Sequence, residues 1–384
     1  MDKKSSPIRV NVARAKKVFR AMEEAWKGKE GIWKNVVLPE SRHELPSDQR
    51  TAANYLFFAS LTMRGGVVSD DPVRWLSHLY SVHPDLFNPV EILKRWNEKK
   101  LCKAFCQATE NILAKKNLSV GRGSMGPRYQ EFSRSWLHNA KILTENWQGG
   151  VLNIFDGAKE FEEAFARIDH RRQNGRGLVG IRRKIFSLFT IWLQDKGMIP
   201  TFPTPLPIDF HALRVLQSTG VIELTGMSPW VRQGYSWMTH WEGVQAIRIS
   251  ERITDAIALW SQWFLWKNGF DHKIINPAMW VLSRTLCADH LQNGTRERTV
   301  PNCLPEELRQ KPQLWPANYR DPCQHCPVRS LCQHVAPSGP YYRSGMFVKM
   351  ERIPYQHPYF QPELPGMEGF IPPPEFTGRQ RSKK

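Results

Sequence analysis

From about Ala52 onward, apolar residues recur every three to four positions through most of this 384-residue chain, the spacing of helices with one face in a core. "AANYLFFASL" is apolar on nearly every side, which predicts a buried helix that stops at "TMRGG", where Gly65 and Gly66 permit a tight turn. "DPVRWLSHLYSVHP" carries Pro72 near its start and closes at a His-Pro break, and "NPVEILKRW" opens in the same way. "SRSWLHNAKILTENW" and "KEFEEAFARI" read as amphipathic helices. Between Lys184 and Lys196, Ile185, Leu188, Phe189 and Trp192 share one helical face, closed by Gly197. "RITDAIALWSQWFLWKNG" repeats the pattern with Ile253, Ile257, Trp260 and Phe264. Convincing strands are few and no internal repeat is visible, so the expected fold class is mainly α.

Charge narrows the partners. Lys and Arg number 54 against 36 Asp and Glu, a formal charge of +18 with a pI near 9.7. A charge of that size favours a polyanionic partner, and nucleic acid is the natural one, because neutralised phosphates release condensed counterions. A basic protein with no particular partner stays open on charge alone. Residues 1–34 hold ten Lys/Arg and four acids and read as a basic arm with some helical content. Beyond Cys332, nine prolines in 52 residues, Pro372, Pro373 and Pro374 among them, predict an extended tail. The start of the sequence lacks an apolar signal core and no run is of transmembrane length, so the expectation is a cytoplasmic protein, nucleoid-associated in a bacterium, without a membrane partner.

Seven cysteines, an odd set in a long chain, suit metal ligation plus spare thiols better than a disulfide framework. Three stand in "DPCQHCPVRSLCQ", where Cys323, Cys326 and Cys332 read C-x2-C-x5-C. Three thiolates can hold a metal, but a closed zinc site or a four-iron cluster takes four ligands. Cys287 and Cys303 both precede the triplet, whereas Cys102 and Cys106 in "LCKAFC" read as core or spare thiols. Elsewhere, "LVGIRRKIFSLF" leads a glycine turn straight into a helix with Lys184 in its first turns, and N–H groups at such a start can bind phosphate. Twenty-five positions after Lys184, "PIDFHALRV" places Asp209 at the entry to another helix. Singly, each has a plain explanation: Asp is a common N-cap, and a lone helix lysine is usually solvated.

Their order is more specific than either residue. Glycine turn, Lys, helix, Asp-x-His-x-x-Arg-Val and downstream cysteines together resemble the helix-hairpin-helix DNA glycosylases of the endonuclease III type. The hairpin of that family reads like L-P-G-V-G-R-K, and this chain has Leu178-Val179-Gly180-Ile181-Arg182-Arg183-Lys184. The family's V-D-x-H-x-x-R-V segment is matched from Ile208 to Val215, and its cluster ends in the same C-x2-C-x5-C. The similarity covers roughly 52–332. Two departures stand out: Arg182 replaces the second hairpin glycine, and "TFPTPLP" lengthens the stretch between Lys and Asp.

The resemblance implies a helix-hairpin-helix glycosylase fold of two α-helical subdomains with an iron–sulfur loop. It divides the chain into a basic extension (1–51), a helical core (52–220), a C-terminal subdomain with the cluster (221–332) and the proline-rich tail (333–384). Within the core, the hairpin spans about 172–196 and the catalytic segment 207–215. It implies a monomer that binds double-stranded DNA and flips out a damaged or modified base. Lys184 would attack the sugar C1′ and form a Schiff base, giving AP lyase activity beside base excision, and Asp209 would stabilise the positively charged sugar. Gly180, Arg182, Arg183, Arg64 and Arg329 would contact DNA. Cys287, Cys323, Cys326 and Cys332 would hold a [4Fe–4S] cluster, with Cys303 as alternative fourth ligand and zinc as alternative metal. Two other readings share the scaffold: a monofunctional glycosylase for a bulky modified base, such as those of phage DNA, and a DNA-binding protein without catalysis.

Overall fold

The structure, a computed structural model, describes residues 8–30, 33–34, 36–42, 44–63, 70–116, 129–170, 173, 176–224, 251–283 and 326–332. Among these the chain is mainly α-helical. The helices are α1 (Val12–Lys27), α2 (Gln49–Thr62), α3 (Asp70–Val82), α4 (Pro89–Arg95), α5 (Glu98–Lys116) and α6 (Tyr129–Trp147). They continue with α7 (Phe161–Ile168), α8 (Arg183–Asp195), α9 (Phe210–Ser218), α10 (Glu251–Asn268) and α11 (His272–Val281). Two short strands, β1 (Ile8–Val10) and β2 (Ile222–Leu224), complete the set. The chain forms two compact units, one continuous (Val37–Thr204) and one made of Met1–Val36 with Pro205–Lys384.

The continuous unit is built around α2. Asp48 caps this helix by accepting from Thr51 N at 2.7 Å, and every residue from Ala52 to Thr62 is buried. The sequence expected that from a stretch with no polar face. Phe58 stacks on Trp136 of α6 at 4.4 Å between ring centroids, and Phe57 meets Phe189 of α8 edge-on at 5.6 Å. Two buried indoles of this core are satisfied: Trp136 Nε1 donates to Leu86 O at 2.8 Å and Trp75 Nε1 to Phe105 O at 3.2 Å. The turn after α6 is held by Asn54, which donates to Gly149 O at 2.9 Å and accepts from Val151 N at 3.0 Å. On α8, Ile185, Phe189 and Trp192 are buried as their spacing predicted, and Leu188 packs at the edge of the same core.

The second unit is discontinuous in sequence. β1 pairs antiparallel with β2, matching Ile8 to Leu224 and Val10 to Ile222. Helix α1 buries Ala15, Val18, Phe19, Met22 and Ala25, and Phe19 meets Phe264 of α10 edge-on at 5.6 Å. Residues 8–27 therefore belong to a packed unit with residues far downstream, whereas the sequence placed them in a basic extension. The apolar stripe of α1 supplies the reason, since leaving five such side chains in water would forgo several kcal/mol of burial, at about 25 cal/mol per Å². On α10, Ile257, Trp260 and Phe264 are buried as expected. Among the described residues no helix is long and apolar enough to cross a membrane.

Candidate functional site

The hairpin between α7 and α8 is held from below by α6. Asn139 is fully buried, donates from Nδ2 to Val179 O at 2.9 Å and accepts from Val179 N at 2.8 Å. Leu178 N reaches back to Ile168 O at 2.9 Å, which closes the loop onto the end of α7. A side chain at position 177 would have its Cβ 2.4 Å from Ile168 O, so only glycine fits there. His138 Nε2 and His170 Nδ1 each lie 3.0 Å from Gly177 O, an acceptor, so both nitrogens carry the proton. Gly180 has φ +80°, the left-handed turn that lets α8 begin three residues later.

The hairpin's basic residues take different roles. Arg182, the N-cap residue of α8, is exposed, and its side chain makes no capping bond. Among the described residues the N–H groups of Gly180 and Ile181 make no hydrogen bond. Lys184, second residue of α8, is half-buried and has no hydrogen bond or ion pair among the described residues. Arg183 departs from expectation. It is 2% exposed, its guanidinium pairs with Glu162 through both Nη atoms, and its Cζ lies 4.8 Å from the Phe165 ring centroid. No phosphate can reach it there. Arg183 locks α8 to α7, while Arg182, one residue earlier with extended backbone at the N-cap, is exposed.

Asp209 belongs to the other unit. It caps α9: Oδ1 accepts from His211 N at 2.8 Å and Ala212 N at 3.0 Å. Its Oδ2 has no hydrogen bond among the described residues. His211 is buried with Nδ1 3.0 Å from Ser283 Oγ and its ring 6.0 Å from Trp280, so it ties α9 to the end of α11. The histidine of the Asp-x-His pattern is thus a packing residue.

Of the expected metal ligands, Cys326 and Cys332 are described. Both are half-buried, outside any disulfide, and stand at the two ends of a short 3-10 turn, Arg329–Leu331. Arg329 N donates to Cys326 O at 3.0 Å and Cys332 N to Arg329 O at 3.1 Å, leaving the Arg329 side chain exposed. Arg14 of α1 donates to Leu331 O at 2.5 Å, which fixes the turn within its unit. No group of three metal-binding side chains occurs among the described residues. Cys287, Cys303 and Cys323 lie outside the described residues, as does Arg64.

The structure thus brings Gly180, Arg182 and Lys184 together on one hairpin, and Asp209, Arg329, Cys326 and Cys332 into the other unit. Sequence reading missed Asn139, His138, His170 and Glu162. One signal was available: Asn139 interrupts the apolar stripe of Phe132, Trp136 and Leu143 on α6, and a polar residue in that place needs a buried partner. Compared with known proteins, the chain matches no family model and no curated protein at a significant level.

Proposed function

We propose that the chain is a DNA glycosylase of the helix-hairpin-helix kind, which takes a damaged or modified base out of duplex DNA and cleaves its glycosidic bond. The observation that carries this reading is Lys184. An amine without a partner among the described residues stands one residue inside a helix whose start follows a left-handed glycine, N–H groups likewise unbonded among those residues, and an exposed arginine. Gly180, Ile181 and Arg182 supply a phosphate contact. Lys184 supplies a nucleophile for C1′, whose Schiff base leads to strand cleavage by β-elimination. Asp209 supplies, through Oδ2, a carboxylate for the positive charge that develops on the sugar. The thiols of Cys326 and Cys332, with Cys323 and Cys287 or Cys303, would hold a [4Fe–4S] cluster or zinc in a structural role, keeping the loop with Arg329 rigid.

The test is borohydride trapping of the full chain on a panel of duplexes carrying oxidised, mispaired and bulky modified bases. A covalent adduct on one of them, lost in Lys184→Gln, supports the reading. Base release without trapping makes the enzyme monofunctional, and no release on any duplex leaves a DNA-binding protein. That last reading draws on Asp209, whose Oδ1 is already committed to two backbone amides as a helix cap.

A further inference from the structure

The two sides of α10 have different surroundings. Trp260 and Phe264 stack at 5.0 Å and are buried, and Phe19 meets Phe264 and Phe270 edge-on at 5.6 and 6.0 Å. That packing fixes the helix. Outside it, Trp263, Trp266 and Lys267 fall at three- and four-residue spacing and share a face. Trp266 is 66% exposed, Trp263 is half-buried, and Lys267 Nζ stands 4.5 Å from the Trp263 ring centroid. An indole exposed on a packed helix presents a large apolar ring on which a flat ligand can stack.

The surroundings favour a nucleic acid over a protein. The other exposed large apolar residues among those described, Val82 and Leu93, belong to the continuous unit, so Trp266 is the one exposed large apolar side chain among the described residues of its own unit. A single tryptophan is far smaller than the roughly 800 Å² per partner that a stable protein interface buries. The charge on the described helices of this unit is mostly positive. Lys267 closes α10, and α1 of the same unit turns Lys16, Lys17, Arg20 and Lys27 to solvent, with Glu24 exposed among them and Glu23 paired to Lys27 at 3.1 Å. An exposed indole beside an ammonium offers one ring face and one phosphate contact. Duplex DNA hides its base faces, whereas an unpaired strand presents them.

We propose that Trp266, with Lys267 beside it, is a stacking site for an unpaired base of single-stranded DNA. The base lies on the Trp266 ring and the adjoining phosphate meets Lys267. The site is separate from the hairpin and needs no chemistry at Lys184.

The test titrates fluorescein-labelled oligo(dT) with the full chain, reading anisotropy at several salt concentrations. Trp266→Ala should weaken binding about tenfold and Trp266→Phe by less, as expected when one stacked base is lost. Lys267→Ala should lower the slope of log K against log salt by about 0.7, one phosphate contact on a single strand. Trp266→Ala should leave borohydride trapping on duplex in place, which separates failure here from failure of the glycosylase reading. Unchanged oligo(dT) affinity in Trp266→Ala overturns the proposal. An equal loss on blunt duplex overturns the unpaired-base assignment. Self-association abolished by Trp266→Ala with oligo(dT) binding intact makes the face a contact between copies instead.

Discussion

Asn139 grips Val179 by both of its backbone polar groups, at 2.9 Å for the donated bond and 2.8 Å for the accepted one. A side-chain amide that pairs with one residue's N–H and C=O behaves like a neighbouring strand, and here it is the strut that carries the hairpin. Asn139→Leu leaves both groups of a half-buried residue without partners. The expected loss is about 2 kcal/mol in urea unfolding, with weaker duplex binding. Asn139→Asp keeps the acceptor for Val179 N but sets a second carboxylate oxygen against Val179 O in a buried site, and should lose at least as much.

Glu162 and Arg183 form a largely buried ion pair, and breaking it from the acid side strands a cation. Glu162→Gln is expected to cost about 3 kcal/mol in stability. Adding Arg183→Met should recover most of that loss, since the partner charge is gone and Phe161 and Phe165 can pack on the new side chain. The double variant should keep the wild-type salt dependence of duplex binding, because Arg183 does not touch phosphate, whereas Arg182→Glu should weaken that binding.

Burial holds the imidazole of His272 down to a pKa of about 4, against the opposing pull of Asp271. The folded state therefore keeps it neutral while the unfolded chain takes up a proton near pH 6.5. Stability from this group is present above about pH 6.5, falls as the pH drops, and levels off below about pH 4. For a residue 7% exposed, the total comes to about 3 kcal/mol. Urea midpoints measured from pH 7 to pH 4 should show that slope, and His272→Gln should flatten it.

Asp209 separates a structural role from a chemical one. Asn caps a helix about as well as Asp, so Asp209→Asn should leave the stability near wild type, and Asp209→Ala should lose about 1 kcal/mol. If the Oδ2 charge stabilises the sugar, Asp209→Asn slows base release strongly with duplex affinity unchanged. Equal single-turnover rates in wild type and Asp209→Asn would reduce the residue to its cap.

Anaerobically purified protein is expected to be yellow-brown with about four iron and about four sulfide per chain. Cys326→Ser and Cys332→Ser should each empty the site. Cys287→Ser should do the same and Cys303→Ser should not; the reverse result moves the fourth ligand to Cys303. Colourless protein with stoichiometric zinc keeps the ligand set and changes the metal.

The helical fold was legible because its signal is periodic: the burial of Ile185, Phe189 and Trp192, or of Ile257, Trp260 and Phe264, follows from spacing alone. The turn at Gly180 was legible for a similar reason, since a glycine just ahead of a helix start has few other uses. Arg183 was misread because its surroundings are set by Glu162, 21 positions away on another helix, while its neighbour Arg182 looks the same in sequence. The pairing of β1 with β2 was invisible, since three residues are too short to show alternation and the partners stand more than 200 positions apart. Asn139 was readable in principle as a polar break in an apolar stripe, but nothing local says which turn it would hold.

The pairing of Val10 with Ile222 also sets an order of events as the chain is made. Residues 37–204 leave the ribosome as one continuous stretch, with every contact of their core already synthesised. Strand β1 and the apolar stripe of α1 emerge first and must wait for partners some two hundred residues later, exposed to chaperones in the interval. A nascent chain arrested once Thr204 has cleared the ribosome should resist protease in the unit 37–204 and lose residues 8–27 to it. Extension past α11 should protect both.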